Sequence, residues 1–166
     1  MKRAFSRPTA VLLLAAMLLF PVGCRRSTDV CDILSAALAS QTEVPTGTVY
    51  SSRAEAGVPD ALDSDLAAVL WGNGAPHPAY GLTNSAAIYL TVRELPFEMA
   101  VLECASTDSA SDVAMMCCER ADLLSRTYGG GKAAFSVMIY GRYVVAVMCA
   151  DNEAAQKAAA DVIGKG

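Results

Sequence analysis

The chain has 166 residues, 54% of them hydrophobic and 18% charged, with a formal net charge of −4. That length suits a single domain, the apolar composition excludes a mainly disordered chain, and 12 glycines and 7 prolines exclude collagen-like or low-complexity sequence. A pI near 4.9 argues against nucleic-acid binding, which needs a basic face to displace counterions.

Lys2, Arg3 and Arg7 precede an unbroken apolar block, residues 10–20. The block is too short to span a bilayer, which takes ~20 apolar residues, and has the length of a secretory h-region. Pro21-Val22-Gly23-Cys24 follows, placing a small residue just before a cysteine. This stretch resembles the lipobox of bacterial lipoproteins, whose cysteine thiol receives a diacylglycerol and whose signal peptide is cut off before it. Pro21 departs from the pattern, where leucine is usual. A transmembrane anchor would want a longer apolar run, and ordinary cleavage an A-x-A-like site, which does not directly follow the block. The resemblance implies a signal peptide over 1–23, lipidation at Cys24, a lipid-anchored tether over 24–28 and a single domain over 29–166. It places the domain on the extracytoplasmic face of the cell membrane. Losing residues 1–23 removes three basic residues and no acidic ones, so the charge falls from −4 to −7. An acidic body is repelled by an anionic membrane surface, which leaves attachment to the lipid.

Past the tether, Thr28 is a candidate cap, and Val30, Ile33, Leu34, Ala37 and Leu38 recur at helical spacing. That helix is expected to end near Ser40. Residues 46–50 read as a short strand and 53–58 as a loop. Leu62, Leu66, Val69 and Leu70 predict a second helix with Asp60 as its cap. Residues 71–85, punctuated by Gly72, Gly74, Pro76, Pro78 and Gly81, read as a long surface loop. Trp71, His77 and Tyr80 on that loop are candidate ligand-site residues, since loops carry function more often than cores. Trp71 reads first as the packed end of the preceding helix, since one aromatic at a helix end is ordinary packing.

From residue 86 the pattern sharpens. Ile88, Leu90 and Val92 alternate with Tyr89, Thr91 and Arg93, as in a half-buried strand. Residues 94–96 turn the chain and 97–105 form another strand. Ser109 and Asp112 suggest a capping box for a helix with Val113, Met116, Cys117, Ala121, Leu124 and Tyr128 inward and Gly129 at its end. Residues 133–140 and 143–150 read as strands joined by Gly141-Arg142, a dipeptide suited to a tight II′ hairpin. Asp151 caps a last helix that buries Ala155, Ala158, Ala159, Val162 and Ile163 and stops at Gly164. Residues 86–163 thus read strand-strand-helix twice. The expected class is α+β: an antiparallel sheet from two ββα units with helices on one face. The hairpin strands are apolar on both sides, whereas a sheet with one wet face alternates. The N-terminal helices are expected to cover the second face, with a partner subunit as the alternative.

Acylation of Cys24 would leave five cysteines: Cys31, Cys104, Cys117, Cys118 and Cys149. Their odd number in an exported chain implies a free thiol, pairing with a partner, or weakly oxidising surroundings. With no C-x-x-C among them and one histidine, His77, zinc spacing is absent, and no metal or other cofactor is expected. Most read as small core hydrophobes. A thiol nucleophile, Cys118 or Cys104, would need a base that the sequence does not place nearby. Gly129-Gly130-Gly131-Lys132 fails as a phosphate loop, because Arg126 and Ala133 stand where glycine and Ser/Thr are needed. Arg120 is expected to form a structural ion pair with Glu98 or Glu103, its stem packed and its head on a carboxylate. Paired carboxylates would also suit acid–base work.

Residues 98–102, Glu119-Arg120, Tyr128, residues 141–145 and Asp151 also resemble an uncharacterised family of Gram-positive lipoproteins, a domain of unknown function. The chain departs from it at Gly129-Gly130-Gly131. The resemblance implies the α+β class and the location, and no chemistry. The expected function is a lipid-anchored, non-enzymatic envelope domain that binds an unknown protein or small ligand. The alternatives are a thiol-dependent enzyme or redox protein, and a subunit that dimerises through an apolar sheet face.

Overall fold

The structure, a computed structural model, describes residues 27–55, 57–92, 97–127 and 134–166. Cys24, the turn at 94–96, Tyr128 and the 129–132 glycine-lysine run lie outside the described residues. The elements are α1 (Val30–Ala39), β1 (Gly47–Ser51), α2 (Ser64–Trp71), a 3-10 turn (Pro78–Leu82), β2 (Thr83–Thr91), β3 (Glu98–Cys104), α3 (Ala110–Thr127), β4 (Ser136–Tyr140), β5 (Tyr143–Met148) and α4 (Asn152–Ile163). This is an α+β fold.

The five strands form one antiparallel sheet in the order β1-β2-β3-β5-β4. β3 is central because it is apolar on both sides. Met99 and Val101 face one layer, and Ala100, Leu102 and Cys104 the other, all buried. Central strands buried on both faces read as continuous apolar runs, and β2 and β5 do the same. Residues 86–89 are all buried, so β2 is not the half-buried strand its alternation suggested, and Val92 lies exposed beyond it.

Each face carries its own helix pair. α1 and α4 cover the side of Ala87, Tyr89, Met99, Val101, Val145 and Val147. α2 and α3 cover the side of Ala86, Ile88, Ala100, Leu102 and Val144. The two helices of the C-terminal repeat therefore lie on opposite faces, not on one. One N-terminal helix completes each layer, so both faces of the central strands β2, β3 and β5 are covered from within the chain, while Met138 and Ile139 on the edge strand β4 stay 45% and 46% exposed.

Local signals explain the boundaries. Asp29, not Thr28, caps α1 by accepting from the Cys31 amide at 2.8 Å. Asp63, not Asp60, caps α2 through Asp65 and Leu66, so Leu62 precedes that helix, while Val69 points to solvent at 73% exposure. Before α3 the reciprocal pair is Ser106 with Ser109, each side chain accepting from the other's amide at 3.2 Å, and not Ser109 with Asp112. Gly141 at φ 60°, with no other residue type at positive φ among the described residues, matches the II′ hairpin. Asp151 caps α4 through the Ala154 amide at 2.9 Å.

Two buried glutamines complete the frame. Gln41 clasps the backbone at Asp151, donating to its carbonyl at 2.9 Å and accepting from its amide at 3.1 Å. This ties the end of α1 to the start of α4. Gln156 donates to the Val145 and Ser136 carbonyls at 3.0 and 3.2 Å, fixing α4 on the β4–β5 hairpin. An amide buried without such partners would cost ~1–3 kcal/mol. Among the described residues, no helix is long and apolar enough to cross a membrane.

Candidate functional site

The stretch between α2 and β2 is shorter as a loop than its glycines and prolines suggested, because β2 begins at Thr83 and a 3-10 turn precedes it. Trp71 ends α2 and is 6% exposed. The chain then folds back sharply. A Cβ on Gly72 would lie 1.9 Å from the Ala75 carbonyl oxygen, so no larger residue fits there. Gly74 sits at φ 89°, which only glycine adopts readily. The return brings Pro76, His77 and Pro78 beside α3.

A groove of about 590 Å³ lies between this return and α3. Trp71, Pro76, Pro78, Met116 and Leu123 supply its apolar lining, and His77, Glu119 and Arg120 its polar groups. His77 Nδ1 accepts from the Ala79 amide at 3.1 Å. In the neutral ring this leaves Nε2 to carry the proton, and Nε2 stands 3.7 Å from Glu119 Oε2. Glu119 is mostly exposed, so the pair is open to a ligand as well as to water. Of the three loop candidates, Trp71 and His77 line the groove. Tyr80 stands behind it, stacked on Trp71 with ring centroids 5.4 Å apart, its hydroxyl directed at the Leu62 carbonyl. Burial, and secondarily the charge of Asp63, raises the Tyr80 phenol above its ordinary pKa.

Arg120 forms the floor. Its Nε and a terminal nitrogen grip Glu98 at 3.2 and 2.8 Å, a two-pronged contact from α3 to the end of β3. Beside it a cavity of about 20 Å³ has room for about one water. Glu103 does not join this pair. It lies at the other end of β3 and on the other face, 3% exposed, bound by Ser27, Ser85 and Arg142. The two carboxylates are therefore not placed for joint acid–base work.

The cysteines divide by layer. Cys104 and Cys117 are buried in the α2–α3 core, while Cys118 is on the flank of α3 and only partly covered. Burial, with the Glu103 charge, raises Cys104 from 9.0 to about 11. Burial raises Cys117 further. Cys118 is raised by partial burial and by Asp122. Burial raises Cys149 to about 11, and the Asp151 charge adds to this while its backbone hydrogen bond lowers it. A reactive thiol needs the opposite shift. Among the described residues the cysteines are free, and no group of three or more metal-binding side chains is gathered.

The groove escaped sequence reading because half of it comes from α3, where Met116, Glu119 and Leu123 recur at the spacing of an ordinary amphipathic helix. Leu123 is a large apolar residue 55% exposed, as Met115 on the same helix is at 62%, and exposure is not visible in sequence. No protein-family model, no curated protein and no solved structure matches the chain.

Proposed function

We propose that the protein is a lipid-anchored, extracytoplasmic binding domain whose ligand is a small amphipathic molecule held in the groove. The observation that carries this is the groove itself: aromatic and aliphatic walls with a few convergent polar groups, the usual make-up of a small-molecule site. Leu123, Pro76 and Pro78 would take the apolar part, over Trp71 and Met116, which are 6% and 1% exposed. His77 and Glu119 would take hydrogen-bonding groups, a carboxylate favouring an amine or hydroxyl. Arg120 is held by Glu98 and would shape the floor rather than bind charge. Anchoring is supported by the apolar block at 10–20 and by Cys24 behind Gly23.

The raised thiols weigh against the thiol-dependent alternative, since a thiolate is the nucleophile. Helices on both sheet faces weigh against dimerisation through such a face.

Each half of the reading has its own test. The probe anilinonaphthalene sulfonate should bind and draw excitation energy from Trp71, the only tryptophan. Leu123→Asp, at an exposed position that tolerates a charge, should abolish that transfer without unfolding the protein. Transfer unchanged in the variant would remove the groove as the site. For the anchor, Cys24→Ala should release the protein from membranes or leave its precursor uncut. A variant cleaved yet still held in the membrane would refute lipidation.

A further inference from the structure

The buried Glu103 has no part in the groove; it fastens the start of the domain. Ser27 donates to one carboxylate oxygen of Glu103, and Ser85 to the other at 2.8 Å. The Tyr143 hydroxyl donates to the Thr28 carbonyl at 3.1 Å and lies 3.2 Å from the Ser27 hydroxyl. Arg53 pairs with Asp29, and its other terminal nitrogen is 3.8 Å from Glu103. Three successive residues, 27–29, are therefore bound to the body by groups from β3, β5 and the turn after β1. Ser27 stands three residues after Cys24, and an extended chain spans at most about 11 Å over that distance. A long flexible tether would leave a domain free to tumble over its membrane. This one has almost no slack.

The groove lies diagonally opposite. Glu103 is five residues from Glu98 along β3, roughly 17 Å at the strand rise. Its side chain belongs to the face covered by α1 and α4, next to Ser85 and Tyr143 on the neighbouring strands. The groove is on the α2–α3 face, and its floor, Arg120, is bonded to Glu98. With the Glu103 end or the α1–α4 side toward the bilayer, the Arg120 floor of the groove stands on the far side of the sheet.

We infer that the Glu103–Tyr143 end of the sheet is the membrane-proximal end, and that the groove opens away from the bilayer to take a water-soluble ligand and not a membrane lipid. This rests on the lipid-anchor reading above.

The test uses the lipidated full chain in phosphatidylcholine vesicles containing lipid with a nitroxide on its headgroup, a short-range quencher of tryptophan. Trp71 in the wild type should keep its emission. Trp71→Phe combined with Tyr140→Trp, which moves the indole to the hairpin beside Ser27, should be quenched severalfold more strongly. Gly166→Trp in the same background reports on that end if the Tyr140 variant does not fold. A long Gly-Ser segment inserted after Arg26 should erase the difference between the two ends. Strong quenching of Trp71, or equal quenching at both ends without the insert, would overturn the orientation. The intact mass of the N-terminal peptide is read separately. A Cys24 lacking diacylglycerol would overturn the anchor and the orientation with it, whereas a lipidated Cys24 with a quenched Trp71 would overturn the orientation alone.

Discussion

Arg120→Ala removes one side of a two-pronged ion pair in which Arg120 is 16% and Glu98 14% exposed. An exposed pair is worth ~0–1 kcal/mol, but breaking a buried one from one side costs ~3–5 kcal/mol, because the other charge stays buried without its partner. Glu98 has no second cation among the ion pairs of the described residues to turn to. Slight solvent access places the expected loss at the lower end, about 3 kcal/mol. At about 3 °C per kcal/mol for a domain near this size, the Tm should drop by about 9 °C. Thermal unfolding followed by circular dichroism measures this directly. Glu98→Ala and the double variant complete a cycle, and the two single losses should not add, with a coupling of about 1 kcal/mol or more. A Tm within about 2 °C of wild type, or additive single losses, would show that the contact holds nothing in place.

Stability should also fall at alkaline pH. Cys104 and Cys149 both have folded pKa values raised to about 11 from 9.0. Between those values the folded chain keeps protons that the unfolded chain has lost, so the stabilisation is complete below pH 9 and declines towards pH 11. Tm measured across that range should decrease, and less steeply in Cys149→Ser; equal slopes would remove the thiol from the account. Deleting residues 25–70, which carry α1, β1 and most of α2, should bare both faces of the sheet. Soluble monomers rarely tolerate such a surface, so light scattering should find aggregates, and a cooperatively folding monomer would contradict the two-sided core.

The sequence made the periodic elements legible and left their sides unspecified. Both hairpin strands, the II′ turn at Gly141, the Asp151 cap and the inward stripe of α3 were readable because each depends on neighbours within a turn or two. The choice of face was not. Nothing in the alanines of α4 says which layer they join; that is settled by Gln41 and Gln156, whose partners are distant backbone groups. Likewise Arg120 announced a carboxylate partner but not which one. Glu98 and Glu103 occupy the same strand and differ by an odd number of residues, so they point to opposite faces, and only one faces α3. Trp71 was legible as helix-end packing, and its role as a groove wall depends on Met116 and Leu123, some fifty residues on.

The Gln41–Asp151 clasp joins residues 110 positions apart, and α1 buries its apolar stripe against the central strands and the last helix of the chain. The first element of the described residues is thus among the last able to settle. Closing so long a loop is slow relative to local helix formation, and much of the sheet pairing is also non-local. While the ribosome is still adding β5 and α4, the emerging polypeptide has no finished core and stays threadable. On the export reading proposed above, that delay would let the chain reach the far side of a narrow channel before it acquired a shape that blocked its passage.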